Sequence, residues 1–258
     1  MADLETLPKT EDELQSMTLQ EVATAAAKYH EWLTDLAWPH LGDHPVEFGS
    51  GFGDYAQRWL DLGLPAMTVG DLEPNRLDFL RDRFGADPRV EVLPLDVFQP
   101  PTRQHSSLVS FNVLEHIADH VGALSAAHTL LRPGGAVITF VPAFQFALGE
   151  FDRRVGHLRR YTKATLKQTY QEAGLVVDQI HYVNAPGLLA WWMAVRVLRM
   201  TPGDSPLLRV WDKVVVPAAR RLEEWRRPPF AQSVFAVGHV PTPAESGSAT
   251  DASSERTG

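Results

Sequence analysis

Cysteine is absent from the 258 residues, so disulfides, thiolate metal sites and cysteine nucleophiles are excluded. No apolar run reaches the ~18 residues of a membrane-spanning helix. The start of the chain, Met1-Ala2-Asp3-Leu4-Glu5, is acidic and lacks the apolar core of a secretion signal, so a cytoplasmic location is expected. No histidine–carboxylate group has clear metal-ligand spacing along the chain, so no metal is expected. Positive charge is also scarce, with 24 Lys+Arg against 32 Asp+Glu and a net charge of −8. A nucleic-acid partner is therefore not expected.

The scarcity is uneven. Residues 1–150 hold 9 basic and 22 acidic residues, a balance of −13, whereas residues 151–230 hold 14 and 7, a balance of +7. An apolar content of 44% is ordinary for a soluble globular chain, and the length suits one domain with additions. Three segments follow: a flexible acidic terminus over 1–18, a domain over 19–240 carrying a helical insertion at 185–229, and a disordered, low-complexity tail over 241–258.

The most informative stretch is Pro45-Val46-Glu47-Phe48-Gly49-Ser50-Gly51-Phe52-Gly53. A short apolar run breaks into three glycines at alternate positions. The chain then resumes as a helix, with Ala56, Trp59 and Leu60 on one face. Strand, glycine loop and helix form a nucleotide-binding geometry: glycine lets backbone and ligand approach closely, and the helix start offers free N–H groups. A dinucleotide fingerprint would place its third glycine at position 54, but Asp54 stands there and the glycine comes one residue early.

Further strands are predicted over Pro65–Asp71, Arg89–Val97, Ser107–Phe111, Ala136–Val141, Leu175–Tyr182 and Gln232–Val240. Asp71 lies 20 residues after Gly51, where an acid closing the second strand can grip ribose hydroxyls. Glu73 competes for that role. Upstream, Leu19 to Leu41 reads as a helix with Tyr29, Trp32, Leu33, Leu36 and Ala37 on one stripe.

The string Glu47-Phe48-Gly49-Ser50-Gly51-Phe52-Gly53, followed by Asn112-Val113-Leu114-Glu115-His116-Ile117 and then Leu131-Arg132-Pro133-Gly134-Gly135, resembles the motifs of class I S-adenosylmethionine (SAM) dependent methyltransferases. The resemblance covers residues 46–142. It implies an α/β fold: a Rossmann-like, doubly wound sheet of seven strands with strand seven antiparallel. It also implies SAM as cofactor, with contacts from Glu47, Gly49, Ser50, Gly51, Gly53, Asp71, Leu72, Asn112 and Glu115. Asp96 would meet the adenine amino group and Val97 would flank the ring. Tyr29 or Trp32 is included because an N-terminal helix often folds over the cofactor in this family, and Tyr29 is taken as the contact. A tight turn is expected at Pro133-Gly134-Gly135.

Beyond strand five, Phe151–Thr162 carries four arginines and one histidine. Its Gly156-His157-Leu158-Arg159-Arg160-Tyr161 run resembles a subgroup of small-molecule methyltransferases. His157 is the first candidate for a general base and His116 the second. Arg159, Arg160 and Tyr161 are candidate acceptor contacts, since arginine pairs suit carboxylate or phosphate. In the insertion, Trp191 and Trp192 sit on an apolar helix, and Pro206–Trp225 reads as an amphipathic one. The insertion would form a lid, a contact with another molecule or a membrane, or ordinary core. The reading is methyl transfer to oxygen or nitrogen of a small molecule. Its rivals are a non-catalytic lipid- or protein-binding module and a nicotinamide-dependent oxidoreductase.

Overall fold

The computed structural model describes residues 26–193 and 206–245. The flexible terminus expected over 1–18, the first turns of the expected Leu19–Leu41 helix, positions 194–205 of the insertion and most of the expected tail lie outside these residues.

Seven strands form one sheet in the order β3-β2-β1-β4-β5-β7-β6. They are β1 (Pro45–Phe48), β2 (Met67–Asp71), β3 (Val90–Pro94), β4 (His105–Phe111), β5 (Leu131–Pro142), β6 (Val176–Val183) and β7 (Ser233–His239). The first five pair in parallel, and β7 runs antiparallel to both β5 and β6. This is the architecture expected from the sequence. The order reverses between β1 and β4, so the crevice outside their carboxyl ends is the place where such sheets take ligands.

Alternation along the strands builds two cores. Leu108, Val137 and Val141 face one side of the sheet, under α4 (His120–Ser125), α5 (Ala127–Leu130) and α7 (Lys163–Glu172). Val109, Ile138 and Phe140 face the other, under α1 (Ala27–Ala37), α2 (Asp54–Asp61), α3 (Pro74–Phe84) and α9 (Pro206–Trp225). Strand residues of period two thus feed two helical layers. On the second face Ala56, Trp59 and Leu60 of α2 are buried as their spacing predicts, and Trp59 donates to the Thr34 carbonyl of α1.

Three local features depart from the expectations. Pro133-Gly134-Gly135 does not stand outside the sheet. It loops within β5, whose register to β4 slips between Leu131 and Ala136, while Gly134 donates to Val240. The insertion helix α9 has the expected limits, but not every apolar residue on it turns inward. Asp212, Val216, Ala219 and Glu223 are buried, whereas Val210 and Val214 are 59% and 63% exposed. Finally, just beyond β7, Thr242 donates from its N–H and hydroxyl to Glu245, which also pairs with His239.

The described parts of the insertion are fastened to the domain by helix caps and an ion pair. Asp212 of α9 accepts from the backbone N–H groups of Lys28 and Tyr29, satisfying the open start of α1. Glu223 does the same for Asn184 and Ala185 at the start of α8 (Ala185–Trp191). Arg220 adds an ion pair to Asp35 at 2.8 Å.

Candidate active site

The carboxyl edge of the sheet concentrates backbone strain. Among the described residues, three non-glycine positions have left-handed φ: Asn112 (54°), Phe144 (64°) and Asn184 (67°). They follow β4, β5 and β6, three strands that end on the same edge. Such conformations cost roughly 1–3 kcal/mol each and collect where a site must be shaped.

On the cofactor side, Gly49, Gly51 and Gly53 all have positive φ, at 71°, 56° and 73°. A Cβ at Gly49 would come within 2.6 Å of Val113 and one at Gly53 would enter the Phe84 ring, so the loop is drawn against both neighbours. Ser50 ties it to the sheet: its hydroxyl donates to the Glu47 carbonyl and accepts from Gly70 N–H. Asp71, at the end of β2, accepts from Gly51, Leu72 and Glu73 N–H and lies 3.9 Å from Arg76. Its carboxylate therefore shapes the loop as well as facing the crevice. Glu73 is exposed and stands one residue before α3.

Three further details suit SAM. One Glu47 oxygen is buried without a partner among the described residues, and burial pushes the Glu47 pKa up to about 8. That is a carboxyl awaiting a cationic or donor group. Leu72, beside Asp71, is 56% exposed despite being apolar. After β3, Asp96 holds only Phe98 N–H by its side chain among the described residues, while Val97 is buried beneath. An acceptor for an ammonium, an acid for a ribose and two apolar residues flanking an amide-accepting carboxylate fit the cofactor that the sequence implies. Tyr29 lies further along the same edge. Its hydroxyl bonds to Ser233 and Asn184 and its ring packs edge-on to Trp32 and Phe140.

Beside this crevice the fold brings together residues that the sequence keeps apart. The 3-10 turn Leu114–His116 follows Asn112, and the loop 155–161 folds over it: Leu158 N–H donates to the Glu115 carbonyl. Glu115, His116 and His157 converge. The two rings meet edge to face at 4.6 Å, and His157 Nε2 lies 3.9 Å from Glu115 Oε1. Both Glu115 oxygens are fully buried without a partner among the described residues, and burial raises its pKa to about 7. Burial likewise lowers His116, to about 4, with help from His157 and Arg76.

Asp152, which no sequence pattern flagged, organises this cluster. It accepts from His157 Nδ1 at 3.0 Å, from Arg160 Nε and an Arg160 terminal nitrogen at 3.0 and 2.6 Å, and from Gly149 N–H at 2.7 Å. Burial alone would raise its pKa. The His157 hydrogen bond, the Arg160 charge and the Gly149 donor outweigh that effect and hold it low. It sits on the short helix α6 (Glu150–Arg154), five and eight residues before its partners, a spacing with no signature in an irregular loop.

The expected acceptor contacts turn out to be engaged elsewhere. Arg160 is buried, paired with Asp152 and stacked over Trp191 at 5.3 Å. Arg159 donates to the carbonyls of Leu114, Ile117 and Ala118 and so fastens the 3-10 turn. Tyr161 is buried, its hydroxyl donating to Leu114 O and meeting His120. These residues hold the site together; the pair of free guanidinium groups expected for an anionic acceptor is not offered. Trp191 packs edge-on to Phe151, and its indole N–H is buried without a partner among the described residues, while Trp192 is exposed.

Comparison with known proteins agrees with this geometry. Among curated proteins, none matches the chain. The solved structure of phosphoethanolamine N-methyltransferase 2 from Haemonchus contortus, in complex with SAM, superposes with a TM-score of 0.61 at 14% identity, covering 93% of this chain and 59% of that one. A geranyl diphosphate methyltransferase in complex with SAM gives 0.59 at 16% identity, covering 89% of each chain. The [4+2]-cyclase SpnF gives 0.56 at 17% identity, covering 81% of this chain and 80% of that one. At such identities the likeness shows the fold alone, and the cyclase illustrates that one fold hosts several reactions. The sequence itself is more specific, since residues 46–137 match a family described as a methyltransferase domain. That span runs from β1 through the glycine loop and the Glu115 turn into β5, and it supports reading the chain as a SAM-dependent methyltransferase.

Proposed function

We propose that the enzyme transfers the methyl group of SAM to an oxygen or nitrogen of a small-molecule acceptor bound over the turn that follows β4. The observation that carries this reading is the convergence of Glu115, His116 and His157 beside the glycine loop. When bound, SAM supplies a methyl group on a sulfonium that an acceptor nucleophile can displace directly. The chain's contribution is then chiefly placement, since in-line attack needs the two reacting atoms held near contact. Glu47 would take the cofactor's ammonium, Asp71 its ribose hydroxyls, and Leu72, Asp96 and Val97 its adenine. Asn112, in its left-handed conformation, leads the chain from β4 into the turn that carries Glu115 and His116. Activation of an acceptor that must lose a proton belongs to Glu115, His116 and His157. The Asp152 contact fixes which nitrogen of His157 is turned toward Glu115.

The internal engagement of Arg159 and Arg160 removes the main reason to require an anionic acceptor. The alternative of a non-catalytic binding module has less support, because a surface contact gives no reason to bury an unpartnered carboxylate between two imidazoles. Labelled-methyl transfer from SAM to a panel of alcohols, phenols and amines tests the proposal. Wild-type protein should label an acceptor, Gly51→Val should lose SAM binding, and His157→Ala should bind SAM yet lose turnover at saturating acceptor. A His157→Ala enzyme with wild-type turnover would refute the role given to the cluster.

A further inference from the structure

The Glu115–His116–His157 cluster has a property that positioning an acceptor does not require. One ligand atom from each residue lies within 4.8 Å of the other two. Glu115 is fully buried, and neither of its oxygens makes a hydrogen bond to another residue among those described. A dehydrated carboxyl so placed is costly, and a bound cation is one way to compensate it. The rings are also held from behind. His157 is anchored at Nδ1 by the Asp152 carboxylate, which leaves Nε2 toward Glu115. His116 is steadied by a hydrogen bond to the backbone of Gly156. Imidazoles that bind metals commonly have their second nitrogen fixed by a carboxylate or a carbonyl in this manner.

We propose that Glu115, His116 and His157 bind one divalent transition-metal ion beside the acceptor. Two imidazoles and one carboxylate favour ions such as Zn²⁺, Fe²⁺ or Mn²⁺ over Ca²⁺ or Mg²⁺, which take mainly oxygen ligands. Metal–nitrogen bonds of about 2.0–2.1 Å set tetrahedral ligands roughly 3.4 Å apart, so the three side chains draw together on binding. Three protein ligands leave coordination positions open. An acceptor hydroxyl bound there would lose its proton to solvent more readily, as metal-bound water does, before its oxygen forms the new bond to the methyl carbon and the carbon–sulfur bond breaks. Two arginines face the cluster, and each has a carboxylate of its own: Arg160 is paired with Asp152 and Arg76 lies 3.9 Å from Asp71. The inference rests on the methyltransferase reading for the role of the ion but not for its binding.

The test uses full-length protein freed of metal by a chelator and then dialysed. Calorimetric titration with Zn²⁺ and with Mn²⁺ should show one site per chain for at least one of the two ions, at least tenfold weaker in Glu115→Gln and in His157→Gln. X-ray absorption at the edge of whichever ion binds should count two imidazole ligands in the wild-type complex. That measurement still decides the matter if either variant fails to fold. No uptake, equal affinity in all three proteins, or fewer than two imidazoles would overturn the proposal. SAM affinity measured on the same samples separates the readings. If SAM binds and the metal does not, only the metal proposal fails; if the metal binds and SAM does not, only the methyltransferase reading fails.

Discussion

Replacing Glu47 with glutamine should flatten the dependence of stability on pH. The carboxyl of Glu47 is buried at the end of β1, its Oε2 has no partner among the described residues, and its pKa is pushed up to about 8 by burial, opposed by a Ser50 hydrogen bond and raised further by Asp54 and Asp71. An unfolded glutamate ionises near 4.5. Between these values the folded chain retains a proton that the unfolded chain releases, so stability is full below about pH 4.5 and falls as pH rises toward 8. At 1.36 kcal/mol per pH unit, raising the pH from about 5 to about 8 should cost the wild type roughly 3–4 kcal/mol through this one group. Glutamine is nearly isosteric and does not ionise, so Glu47→Gln removes that slope and leaves the others. Buried histidines such as His30 and His181, held down at about 4 by burial, destabilise the fold as pH falls through 6.5 toward 4. They act equally in both proteins and cancel in the difference. Urea unfolding of ligand-free wild type and variant at several pH values across this range measures it. For a chain of this size the gap corresponds to roughly 6–16 °C in melting temperature. Parallel pH profiles would show that Glu47 is ionised and solvated in the fold, and would refute the assignment of a carboxyl awaiting a cationic group.

Three further outcomes are expected. Arg160→Met should lose about 3–5 kcal/mol in urea unfolding at neutral pH, because it leaves Asp152 buried without its guanidinium; a loss below about 1 kcal/mol would contradict the buried pair. Gly53→Ala should cost about 2–4 kcal/mol, since it combines a φ of 73° with a methyl group driven into Phe84; a melting temperature equal to wild type would show that the loop relaxes freely. Asp212→Ala should cost about 1–2 kcal/mol and speed amide exchange at Lys28 and Tyr29, as the loss of a helix cap does; unchanged exchange would detach the insertion from α1.

Alternating apolar residues and the glycine spacing were enough to place the strands, the loop at Gly49–Gly53 and the acid at Asp71, because each depends on neighbours within a few positions. Capping is equally local: the Thr162 hydroxyl accepts from Thr165 N–H at the start of α7 and the Asp119 carboxylate from Gly122 N–H at the start of α4. Chemical type also fixed His157 and His116 as candidates, though as separate ones. What local pattern could not convey is partnership across the chain. Arg159 and Arg160 look like a free anion-binding pair in the sequence, yet one is spent on the carbonyls of the turn after β4 and the other on Asp152. Val210 and Val214 of α9 are apolar yet exposed, because packing against α1 turns Val216 and Ala219 inward. Glu115, His116 and His157 meet only because β4 and β5 are neighbours in the sheet, which sets the loop after one strand over the turn after the other. Element, motif and residue type follow from short-range sterics and hydrophobic period. Which charges are neutralised, which carboxyls are stranded and which rings share a site follow from strand order, and strand order is settled by the whole core at once.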